Sequence, residues 1–154
     1  MTAADLCIGR ALSVRASIAI TLEGTPSEAF PFFDPVHETQ WDPEWRPQLL
    51  DDRVREGLVF FVGEGADRVT WVIARYDERA PRIAYVNVGR SIATRIEIAL
   101  APKGSERCTA TVDYEKTALD ADAESSVRHF AAHFPTQGPR WESAINAVLR
   151  KRTV

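Results

Sequence analysis

Four side chains with hydrogen-bonding heads, Tyr85, Asn87, Thr94 and Tyr114, fall on what the residue alternation makes one buried face of a strand-rich chain. A phenol, amide or hydroxyl on such a face must find a partner, because leaving it unsatisfied costs ~1–3 kcal/mol. The protein, water or a bound molecule can be that partner. The chemistry this set suits is orientation of a ligand's few polar groups inside a mostly apolar enclosure. Trp41 and Trp45 stand four apart with Pro43 between them, so a regular helix through both is not expected. Either they wall the mouth of a cavity or they fill the core beneath a loop. Asp42 and Glu44 between them are expected to be exposed. A carboxylate buried beside such an aromatic wall would become a general base.

Other constellations are weaker. His129 and His133 are spaced i, i+4 and could pair on a metal, but the helical wheel turns them away from Val127, Phe130 and Phe134. No third ligand is at hand, so no metal is expected. Asp113 and Glu115 could share acid–base work, yet alternation puts both on the outer face of a strand, with Arg95 near Asp113 or Thr111 across a hairpin. A surface ion pair is the simpler reading. Gly63-x-Gly65 lacks the third glycine and the following helix of a dinucleotide fingerprint and is read as a turn. Cys7 and Cys108 have no ligand spacing and are read as free, buried thiols. No nucleophile–base pair stands out, and no organic cofactor is implied.

The elements that must position these residues are legible. Asp122 to Arg152 carries one apolar stripe, Val127, Phe130, Phe134, Trp141, Ile145 and Val148, whose phase survives Pro135 and Pro139. This predicts two coaxial helical pieces or one kinked helix. Val14, Ala16, Ile18, Ile20 and Leu22 alternate as a strand, and Thr25-Pro-Ser-Glu28 is a capping box that starts a short helix. Strands are then expected around 49–52, 58–62, 68–76, 82–88, 91–100 and 107–117, with short joints, as an antiparallel meander. Gly89-Arg90 suggests a two-residue turn that sets Tyr85 opposite Thr94.

The 154 residues fit one domain (1–154) of ordinary composition, 45% apolar and 27% charged. A net charge of −3 offers no electrostatic case for nucleic acid. No apolar run reaches the ~20 residues of a membrane span. Arg10 and Arg15 interrupt any leader-like stretch, so a cytoplasmic location is expected.

Ser17-Ile-Ala-Ile-Thr-Leu-Glu-Gly-Thr-Pro-Ser-Glu-Ala-Phe30, Trp41-Asp-Pro-Glu-Trp45 and the tail Trp141-Glu-Ser-Ala-Ile-Asn-Ala-Val-Leu149 resemble the START/Bet v 1-like helix-grip superfamily, in which polyketide cyclases and dehydrases and activators of the Hsp90 ATPase are found. The resemblance spans almost the whole chain. It implies an α+β helix-grip fold: a curved antiparallel sheet of six or seven strands around a long C-terminal helix, with two short helices after the first strand. It also implies a hydrophobic cavity between sheet and helix, often for lipids, polyketides or aromatics. The superfamily has no shared catalytic signature, and Pro135 to Pro139 departs from its smoother helix.

The expected function is binding of a small, mostly apolar molecule by Trp41, Trp45, Trp71, Tyr85, Asn87, Thr94 and Tyr114, with Phe130, Phe134 and Trp141 from the helix. A cyclase/dehydrase-type enzyme working in the same cavity is the alternative. A third reading is an interaction module, for which Val72, Val86 and Val88 would form an outer apolar patch. That patch could equally make a homodimer.

Overall fold

The computed structural model describes residues 1–152. Seven antiparallel strands, β1 (Ser13–Leu22), β2 (Gln48–Leu49), β3 (Val59–Val62), β4 (Val69–Asp77), β5 (Arg82–Val88), β6 (Ile92–Pro102) and β7 (Cys108–Ala118), form one sheet in the order β1-β7-β6-β5-β4-β3-β2. Between β1 and β2 lie α1 (Pro26–Ala29) and two 3-10 turns, Phe30–Phe33 and His37–Gln40. The capping box is present: the Thr25 side chain accepts from the Glu28 amide and the Glu28 carboxylate from the Thr25 amide. After β7, α2 (Glu124–His133), a 3-10 turn (Phe134–Gln137) and α3 (Gly138–Arg152) follow one another directly. Pro135 and Pro139 each occupy the second position of their segment, where the missing amide breaks no helical bond.

Alternation places Ala16, Ile18, Ile20 and Leu22 of β1 against the helices, together with Ile96, Ile98 and Leu100 of β6 and Cys108, Ala110 and Val112 of β7. Val127, Phe134, Ile145 and Leu149 close the core from the helical side. The end of the edge strand β1 is held by α3. Glu142 accepts from the Thr21 amide at 2.8 Å. Asn146 accepts from the Glu23 amide at 2.8 Å and donates to the Thr21 carbonyl at 3.1 Å.

The β5–β6 connection differs from the expected turn. Val88 stands opposite Ala93, so Tyr85 faces Ile96 and Asn87 faces Thr94. Gly89 does not adopt the positive φ that a II′ turn requires, and the chain closes with the Gly89 amide on the Ile92 carbonyl at 3.0 Å. The shift is two residues, so every side chain keeps its face. The β3–β4 turn does need glycine: Gly63 has φ +85°, and a Cβ there would lie 2.8 Å from the Asp67 carbonyl oxygen.

On the outer face Arg95 lies opposite Glu115, not Asp113 or Thr111. Glu115 pairs with Arg15 at 2.6 Å, Arg95 with Glu97 at 2.5 Å, and Ser17 bonds Asp113. Val86 and Val88 are exposed there and Val72 is half-buried. Cys108 is buried as expected, and burial pushes its thiol up to about 11. Cys7 is exposed instead, because the segment before Ser13 stays out of the sheet. No helix among the described residues is long and apolar enough to cross a membrane.

Candidate functional site

The site grows from the proline-rich stretch after α1. Pro35 forces the residue before it, Asp34, into an extended conformation (φ −86°, ψ 158°). The amides of Val36 and His37 therefore no longer reach the Phe32 and Phe33 carbonyls, and that of Thr39 bonds the Val36 carbonyl in place of Pro35. Three aromatic donors take over the freed carbonyls. Trp41 Nε1 donates to the Phe32 carbonyl at 2.7 Å, Trp45 Nε1 to the Pro35 carbonyl at 2.9 Å, and the Tyr85 hydroxyl to the Phe33 carbonyl at 2.6 Å. The displaced amides of Val36 and His37 turn to Asp34 Oδ1, each at 2.8 Å, and His37 Nδ1 lies 2.7 Å from Oδ2. Asp34 is only 4% exposed. This Asx arrangement launches the 37–40 turn that carries Glu38.

Between this loop, the sheet and α3 lies a cavity of about 220 Å³, lined by Phe33, Glu38, Trp41, Asp42, Trp45, Trp71, Tyr85, Ile96, Ile98, Tyr114 and Trp141. Its walls are two arcs of rings. Trp45, Phe60, Trp71 and Tyr85 contact one another with centroids 5.3–6.1 Å apart. Trp41 meets Trp141 at 5.3 Å, Trp141 meets Phe134 at 5.8 Å, and Phe134 meets Tyr114 at 4.6 Å. Such offset and edge-on contacts stabilise each pair by ~0.5–1.5 kcal/mol beyond burial and hold the rings rigid.

Two polar heads in this cavity are uncommitted. Neither the Tyr114 hydroxyl nor the Glu38 carboxyl has a hydrogen-bond partner among the described residues. Both residues keep some accessible surface, but their heads lie deep in protein, and the surroundings of the head govern ionisation. Burial raises the Glu38 carboxyl well above the usual carboxylate range, with Asp42 and Asp34 adding to the effect. Burial, and then Glu38, raises the Tyr114 phenol. The arrangement can present a protonated carboxyl and a phenol to whatever occupies the cavity.

Of the residues expected to bind ligand, Trp41, Trp45, Trp71, Tyr85, Tyr114 and Trp141 line this cavity. Phe130 and Phe134 stand behind Tyr114, at 5.1 and 4.6 Å between centroids, and support its ring. Asn87 and Thr94 line a neighbouring cavity. Tyr85 contributes its ring, while its hydroxyl is already spent on Phe33. Glu38 was missed by sequence reasoning. It sits on a single irregular turn where no periodicity tells inside from outside, and the available signal was Asp34-Pro35 as the start of that turn. His129 and His133 are exposed, stacked 3.9 Å apart, with His133 Nδ1 donating to the His129 carbonyl. Among the described residues no group of three or more His, Cys, Asp or Glu side chains could hold a metal.

At the level of sequence no family model and no curated protein matches the chain. Solved structures do. Norcoclaurine synthase from Thalictrum flavum, as a point mutant with a transition-state analogue, superposes with TM-score 0.72 at 11% identity over 95% of this chain and 99% of that one. The chain has the helix-grip fold. The Zhui aromatase/cyclase from a Streptomyces species aligns with TM-score 0.70 at 13% identity, covering 93% of this helix-grip chain and 97% of its own. Ara h 8.0201 aligns with TM-score 0.68 at 15% identity, covering 91% and 99%. Norcoclaurine synthase has also been solved with dopamine and hydroxybenzaldehyde.

Proposed function

We propose that this helix-grip chain binds a small aromatic molecule, with its ring between the two aromatic arcs and a polar substituent at Glu38 and Tyr114. The observation that carries the reading is that the Glu38 carboxyl and the Tyr114 hydroxyl face a mostly aromatic cavity and bond no protein group among the described residues. A ligand group that accepts from these heads takes the place of the water that otherwise reaches them. Size narrows the class. About 220 Å³ is below the ~300–1,000 Å³ of pockets for drug-sized molecules and close to the ~150 Å³ that holds benzene in an apolar cavity. A single ring with a short substituent fits, whereas a lipid or long polyketide requires the cavity to widen. That helix-grip proteins accommodate such molecules is in keeping with the dopamine and hydroxybenzaldehyde complex of norcoclaurine synthase.

Native mass spectrometry of protein purified from its own cells, followed by denaturation, tests the reading. A stoichiometric single-ring compound supports it. A stoichiometric long-chain lipid replaces it with a wider, open form of the site.

One observation favours a second reading, an enzyme of acid–base type. A carboxyl that burial raises well above the usual carboxylate range suits a general acid. With a substrate in hand, Glu38→Gln would separate the two: an enzyme loses turnover with binding intact, and a binder loses only affinity.

A further inference from the structure

The inner face continues beyond the aromatic cavity. Asn87, Thr94 and Lys116 form one row across β5, β6 and β7, since Asn87 is opposite Thr94 and Thr94 opposite Lys116. The row lines a second cavity of about 390 Å³, together with exposed Arg68 and Arg90 and one acid, Asp67. The two cavities abut on the sheet, because Trp71 of the first pairs with Asn87 of the second.

All three side chains of the row open on this cavity without a hydrogen-bond partner from the protein among the described residues. Asn87 is 8% and Thr94 5% exposed. Neither side chain makes a hydrogen bond within the described residues, and Lys116 has no carboxylate partner there. The ammonium is 4.1 Å from the Phe130 ring centroid, and loss of hydration lowers its pKa. An ammonium, a hydroxyl and an amide NH₂ are all donors. One group accepts from all three at once: an anion. Lys116 is half-buried and is the one cation of the row, with Arg68 and Arg90 at the exposed rim. One ammonium balances one negative charge, which favours a carboxylate over a doubly charged phosphate.

We infer that Asn87, Thr94 and Lys116 form an anion subsite for the carboxylate of a ring-bearing acid whose ring lies in the aromatic cavity. The inference rests on the small-aromatic reading above. Tyr114 and Lys116 are two residues apart on β7, ~7 Å along a strand, so the acid carries its carboxylate on a short spacer.

The test is calorimetric titration of the full chain at neutral pH with 3-phenylpropionate and with 3-phenylpropan-1-ol, its uncharged counterpart. The acid should bind at least tenfold more tightly than the alcohol. Lys116→Met should abolish that preference by weakening the acid far more than the alcohol, while Lys116→Arg should retain most of it. Thr94→Val, a near-isosteric change, should weaken the acid alone and serves if Lys116→Met fails to fold by circular dichroism. Equal binding of acid and alcohol by the wild type overturns the subsite and leaves the aromatic cavity standing. A preference that survives Lys116→Met, or that Thr94→Val leaves undiminished, in folded protein also overturns it. Binding of neither probe rejects the single-ring reading, and the subsite falls with it.

Discussion

Tyr85 and Tyr114 share the inner face of the sheet and differ in one hydrogen bond. The Tyr85 hydroxyl satisfies a carbonyl that proline has orphaned, whereas the Tyr114 hydroxyl meets no protein group among the described residues. Removing the first leaves the Phe33 carbonyl unpartnered. Tyr85→Phe should therefore lower unfolding free energy by ~1–3 kcal/mol, and Tyr114→Phe should leave it nearly unchanged, as urea titrations of both variants will read. Glu38 gives a pH signature at the same scale. Its folded pKa lies above its unfolded value, so the folded state holds a proton that the unfolded chain releases. Stability is then lost as pH rises from the ordinary carboxylate value through the raised one. Glu38→Gln removes that loss. The variant should melt a few degrees above wild type at pH 8, with the gap closing as pH falls into the ordinary carboxylate range. A gap that widens on acidification would mean the carboxylate is stabilised in the fold by a partner. Of these residues, both tyrosines were legible from alternation alone, but which hydroxyl was free was not. Lys116 was not singled out, although the period that turns Tyr114 inward turns it inward too.

The 26–45 segment shows where reading by element stops. Its start was plain, because Thr25 and Glu28 satisfy each other's backbone neighbours locally and proline suits the first helical turn. Its interior was not. That the chain leaves the helix before Pro35 follows from the sequence, but the donors that reach the carbonyls freed there include Tyr85, a residue 52 positions away. Long-range hydrogen bonds leave no local pattern. Asp34 organises the segment by accepting from two amides and holding His37, and Trp41 and Trp45 hang from the same stretch of backbone. Hydrogen bonds to a charged acceptor are worth ~1.5–3 kcal/mol each. Asp34→Ala should cost ~3 kcal/mol or more by the same reckoning and should raise hydrogen exchange at the Val36 and His37 amides ahead of those in β5 and β6. Uniform acceleration across the chain would mean that the turn has no independent role in holding the cavity wall.

At the scale of the molecule, the sheet's inward face was fixed by a period of two, and an error of two residues in the β5–β6 turn left it intact. The apolar stripe of the C-terminal helices kept its phase across Pro135 and Pro139 because each proline begins a new segment. What no stripe reveals is how helix and sheet are locked. Asn146 lies beside the apolar positions of α3, 6% exposed, and bonds both a carbonyl and an amide at the end of β1. An edge strand leaves such groups open to other chains, and here the helix covers them. Asn146→Ala should cost ~2 kcal/mol or more, for two backbone groups at ~1–3 kcal/mol each. The Arg150–Glu23 pair nearby is exposed, at 2.6 and 2.9 Å, and Glu23→Gln should leave the denaturation midpoint close to wild type. Hydrogen exchange separates a local lock from general loosening. In Asn146→Ala the Glu23 amide should exchange faster, while the Thr21 amide, still bonded to Glu142, stays protected. If both accelerate together, α3 has come away from β1 as a unit, and Asn146 is the residue that keeps the cavity closed along that edge.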